Sequence, residues 1–100
     1  VDTKTLITQA KARFKHQEAK LYLKEKYSNR LTLVSQNGLW SVTPEFLATL
    51  RSSPETVVLI DQYDNPVKVD TYELLAVAEE LYNTVMNSWL QEWSELEKTR

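Results

Sequence analysis

The sequence predicts an α+β fold in which two long terminal helices pack beside a small four-stranded, largely antiparallel sheet of two hairpins, with a short middle helix. Three observations carry this. Good helix formers fill both ends of the chain; β-prone runs separated by turn residues fill the middle; and two start signals, Thr43-Pro44 and Asp70 to Glu73, mark where helices resume. A length of 100 residues matches one domain, residues 1–100, with one continuous apolar core.

The first helix is expected over residues 3–27. Asp2 can cap its first turn, and Ile7, Ala10, Phe14, Gln17 and Leu21 recur at spacings of three and four. Leu6, Tyr22, Leu23 and Tyr27 widen the apolar face. About 25 residues of helix would measure roughly 37 Å. The first hairpin follows over residues 31–42, as Leu31 to Val34 and Leu39 to Val42 joined by Ser35-Gln36-Asn37-Gly38. Asn37-Gly38 is its turn signal, since both residues tolerate positive φ.

A short helix is expected over residues 44–52, with Thr43 as cap, Pro44 at the first position and Phe46, Leu47 and Leu50 on the buried face. The second hairpin covers residues 56–69. Its Val57 to Ile60 run, being continuously apolar, predicts a strand covered on both faces, whereas Val67-Lys68-Val69 alternates and predicts an outer strand. Asp70 and Glu73 form a capping box that opens the last helix, residues 71–97. Leu75, Ala78, Tyr82, Val85, Trp89, Trp93 and Leu96 share one side of it, with Leu74, Leu81, Met86 and Leu90 beside them. Two such helices outreach a small sheet, so their far ends should pack on each other, on another subunit or on a partner.

The formal charge of -2 conceals a division: residues 1–30 carry +5, residues 31–69 carry -2 and residues 70–100 carry -5. Either the two helices lie side by side and their flanking charges pair, or the basic helix faces an acidic partner or a phosphate backbone. On the second reading Lys11, Lys15, Lys20 and Lys24 form the anion-binding or acidic-partner surface.

The chemistry of sites is sparse. The chain has no cysteine, which excludes disulfides, thiolate nucleophiles and cysteine zinc sites. One glycine cannot supply a nucleophile elbow, a dinucleotide fingerprint or a phosphate loop. His16 has no second histidine to join it and reads as a surface residue. Asp61, Asp64, Asn65 and Asp70 lack the spacing and central glycine of an EF-hand and read as turn and cap residues. Glu79-Glu80 and Glu92/Glu95 read as a solvated helix face. No catalytic residue, metal site or cofactor is therefore expected. No apolar run approaches the roughly 18 to 20 residues that cross a bilayer, and VDTKTLITQAKARF lacks a signal-peptide stretch. The expectation is a soluble cytoplasmic protein with no membrane contact.

Trp89 and Trp93, four residues apart with Leu90 and Leu96 nearby, have two readings. They pack on Leu6, Ile7 and Ala10 of an antiparallel first helix, or they anchor a dimer or partner interface. Leu59-Ile60-Asp61, Asn65-Pro66-Val67-Lys68-Val69-Asp70 and Trp89-Leu90-Gln91-Glu92-Trp93 resemble segments of small accessory or uncharacterised proteins of large tailed bacteriophages. The resemblance implies a structural, assembly or host-modifying role exerted through protein contacts, in the host cytoplasm or on the virion, and supplies no catalytic residue. The leading expectation is a non-catalytic interaction or assembly protein, with a homodimer or another protein as partner. The alternatives are a nucleic-acid accessory protein using the basic helix and a small enzyme with an acid–base site that no motif marks.

Overall fold

The computed structural model describes residues 3–98, with side chains for Arg13 and residues 15–98. The expected cap at Asp2 and the side chains of Leu6, Ile7, Ala10, Lys11 and Phe14 lie outside the described residues. Helix α1 (Thr3–Arg30) leads into strands β1 (Thr32–Ser35) and β2 (Gly38–Ser41) and helix α2 (Pro44–Arg51). Strands β3 (Thr56–Ile60) and β4 (Pro66–Asp70) and helix α3 (Thr71–Lys98) follow. The α+β class, the order of elements and the two unbroken terminal helices are as the sequence predicts.

The four strands form two separate antiparallel ladders, β1–β2 and β3–β4, instead of one sheet. Separate hydrogen bonds, not a ladder, join the first hairpin to the second. The Leu39 N–H donates to Asp61 Oδ2 at 3.3 Å, and its carbonyl accepts from the Gln62 N–H at 2.9 Å. The Gln36 carboxamide accepts from the Asp70 N–H at 2.6 Å and donates to the Asp70 carbonyl at 3.1 Å. Polar backbone groups left by the missing ladder are thus satisfied at both ends of the contact. Because the β3–β4 ladder is only two strands wide and packed on one face, Val58 and Ile60 stand 59% and 62% exposed. The predicted two-sided cover of Val57 to Ile60 is therefore wrong: only Val57 and Leu59 turn toward the core.

The first turn is shifted by one residue from its sequence signal. Gln36 and Asn37, with φ of 49° and 64°, are its central residues, and Gly38 pairs with Ser35 at negative φ. Gly38 is needed for space. A Cβ there would fall 2.6 Å from Cε2 of Trp40. That indole is pinned by its Nε1–H bond to the Ser35 carbonyl at 2.9 Å and by stacking on Phe46. Gly38→Ala is expected to cost about 1–3 kcal/mol as an overpacking change, measured by urea unfolding; a loss near zero would show that the ring yields freely.

Thr43 caps α2 as expected, its Oγ1 accepting from the Phe46 N–H at 3.1 Å, with Pro44 in the first turn. At α3 half of the predicted capping box forms: Asp70 Oδ1 accepts from the Glu73 N–H at 3.1 Å. Gln36 holds the Asp70 amide that Glu73 was expected to reach. The fully buried Thr71 anchors the same turn, with its hydroxyl on the Pro54 carbonyl and its amide on that of Glu55.

Apolar packing gathers in two centres along α3. The first joins Trp40, Val42, Leu47, Leu50, Val69, Leu74 and Ala78. The second joins Leu23, Tyr27 and Val85, and Leu31 and Leu81 border both. The first half of α3 thus carries the hairpins and α2, while its second half carries α1. Tyr27 lies by Trp89 and His16 by Glu97, so the helices run antiparallel and staggered. The packed face of α1 runs through Leu23 and Tyr27, which corrects the expected stripe, since Gln17 and Leu21 are exposed. Beyond Glu97 the described part of α3 has only Lys98, whereas α1 has residues 3–15 ahead of His16. A 28-residue helix is about 42 Å long, and thirteen further residues add about 20 Å, which accounts for the 65 Å long axis.

Candidate interaction surface

The antiparallel register brings the basic face of α1 onto acidic groups of α3. Lys26 Nζ donates to Glu92 Oε1 at 2.7 Å, and the Tyr27 hydroxyl donates to the same oxygen. The Tyr27 ring stacks on Trp89 at 6.1 Å and 10° between planes, with the Arg30 guanidinium 5.0 Å from its centroid. One residue from the end of α3, Glu97 Oε1 takes His16 Nε2 at 3.2 Å and Lys20 Nζ at 3.7 Å. Elsewhere Arg51 of α2 pairs with Glu79. Of the two explanations for the divided charge, pairing between the helices accounts for these residues. It also makes His16 a half-buried interhelix residue rather than the expected surface one.

These contacts set the protonation chemistry. The Lys26 ammonium first, then the Tyr27 hydroxyl, hold the Glu92 carboxyl below the ordinary glutamate value against the opposing effect of burial. The same carboxylate raises the Lys26 and Tyr27 values, with burial adding to the rise at Tyr27. In the β3–β4 loop, the Asn65 amide lowers the Asp61 value most; burial opposes it, and the Leu39 and Tyr63 amides add to the lowering. Asp61 is 6% exposed and its oxygens accept from all three amides, which makes it a structural carboxylate. Among the described residues no three His, Cys, Asp or Glu side chains converge as a metal site, and no helix is long and apolar enough to cross a membrane.

The two tryptophans part company. Trp89 is half-buried on Tyr27, and Leu96 borders the same cluster. Leu90 and Trp93 are 60% and 39% exposed. The Tyr27 contact seats Trp89 against the last turns of α1, whereas Leu6, Ile7 and Ala10 lie near its start. Lys15 and Lys24 are exposed and Lys20 is engaged by Glu97. On the other flank of the helical pair, Ala19, Tyr22, Leu23, Glu92, Glu95 and Leu96 line an open groove of about 480 Å³. Residue spacing alone missed Lys26, Tyr27 and Glu92. Their signal lies only in the pairing of the helices, because Lys26 and Glu92 are 66 positions apart.

Comparison with protein-family models, with curated proteins and with solved structures found no match.

Proposed function

We propose that this chain is a non-catalytic interaction or assembly protein that acts through its helical pair. The helical pair supports the reading: residues 3–15 of α1 run on past the point where Glu97 meets His16, and Leu90 and Trp93 stay exposed on α3. A helical segment of this length gains too little from its own hydrogen bonds to be more than marginal in water, and most helical stability in proteins comes from tertiary packing. Exposed aromatic and aliphatic side chains, as Leu90 and Trp93 are on α3, are the residue types that anchor interfaces. A phosphate-binding role for the same helix has less support, since Glu97 engages Lys20.

The test is the native size of the full chain, purified and in cross-linked lysate of the cells that make it. The chain is expected in an assembly larger than its 11.7 kDa monomer. Tyr22→Ser in the groove between α1 and α3, combined with Leu90→Ser and Trp93→Ser, should release it as a monomer with unchanged far-UV circular dichroism. A wild-type monomer in both settings would refute the reading.

A further inference from the structure

We infer that the partner is a second copy of this chain, residues 3–15 of each protomer lying in the groove between α1 and α3 of the other. This rests on the interaction reading above and gives it an occupant.

Charge supplies the first argument. Residues 3–15 contain Lys4, Lys11, Arg13 and Lys15 and no acidic residue. The groove carries Glu92 and Glu95, and Glu18 lies one turn from Tyr22 on the same flank. Lys26 and Tyr27 hold Glu92 in place, while Glu95 and Glu18 have no ion pair among the described residues. A basic helix and an acid-lined groove steer and orient one another.

Shape supplies the second. The sequence of residues 3–15 sets Leu6, Ile7, Ala10 and Phe14 at helical spacing, and the groove offers Ala19, Leu23 and Leu96 as its apolar lining. The segment is about 20 Å long, the same as the half of α3 that carries α1. A two-fold arrangement places both segments in both grooves at once, the self-complementary contact expected of a dimer. An unrelated acidic helix would satisfy the basic segment and leave the acidic groove unmatched.

Sedimentation equilibrium of the full chain tests this with two charge variants. One makes the groove basic, Glu18→Lys with Glu95→Lys. The other makes the segment acidic, Lys11→Glu with Arg13→Glu and Lys15→Glu. The wild type should dimerise, each variant alone should dimerise at least about tenfold more weakly, and an equimolar mixture should recover wild-type affinity because both contacts become attractive again. Variants that dimerise like the wild type, or a mixture that stays monomeric, would overturn the proposal. A purified wild-type monomer that still enters a larger complex in lysate would overturn the second copy and leave the interaction reading standing. The wild-type chain gives an independent measure: its dimer should weaken as salt rises from about 0.05 to 0.5 M, since exposed charge pairs are screened. A dimer constant unchanged over that range would also overturn it.

Discussion

Replacing Trp40 with alanine is expected to destabilise the protein by about 3–5 kcal/mol, the largest loss from any one substitution considered. The indole is 2% exposed, stacks on Phe46 with ring centroids 5.9 Å apart, closes over Gly38 and donates to the Ser35 carbonyl. Its removal therefore empties the first packing centre and leaves a backbone carbonyl without its donor. Since a domain of this size holds only about 5–15 kcal/mol in total, the variant should approach the unfolding threshold. Urea unfolding followed by circular dichroism measures it. Trp40→Phe should recover much of the packing and none of the hydrogen bond, so an intermediate loss is expected. A loss under about 1 kcal/mol for the alanine variant would mean that the surroundings collapse into the space.

Stability should fall on both sides of neutrality, for different parts of the fold. Asp61 and Glu92 titrate below their ordinary values of 3.8 and 4.5 in the folded chain. Their contribution is complete above those values and is lost as pH drops through the lower folded ones. Tyr27 and Lys26 titrate above 10.0 and 10.5, so their contribution is complete below those values and is lost as pH rises through the higher folded ones. Urea midpoints should therefore form a plateau from about pH 6 to 9 with an acid and an alkaline decline. Asp61→Asn should lower the plateau and flatten the acid decline, because a carboxamide has one acceptor oxygen for the three amides of Leu39, Tyr63 and Asn65. Tyr27→Phe should flatten the alkaline decline instead. An acid decline equally steep in Asp61→Asn would remove the assigned role of that carboxylate.

The local signals that served best were those whose cause is local. Thr43 followed by Pro44 satisfies or dispenses with first-turn amides, whatever lies around them, and the cap forms as read. The Asp70 cap is local too, but its reciprocal half depended on which group reached the Asp70 amide first, and Gln36 comes from another hairpin. The Asn37-Gly38 signal located the turn within one residue. It gave the glycine the wrong reason, because the ring that requires its bareness arrives from Trp40 through tertiary packing on Phe46.

At the candidate surface, Leu90 and Trp93 could be named from spacing because aromatic and aliphatic groups near a helix end need cover. Their separation from Trp89 could not, since helical periodicity shows that residues share a face without showing how much of that face a neighbour covers.

By itself the chain determined its elements: two uninterrupted helices, two hairpins, a capped middle helix and opposite charges at its ends, all consequences of backbone propensity and of residue order. Tertiary structure alone decided the stagger of α1 against α3, the division into two ladders, the burial of Asp61 and the cluster around Glu92. Those depend on contacts between residues far apart in the chain, and no short-range pattern records which distant groups will meet.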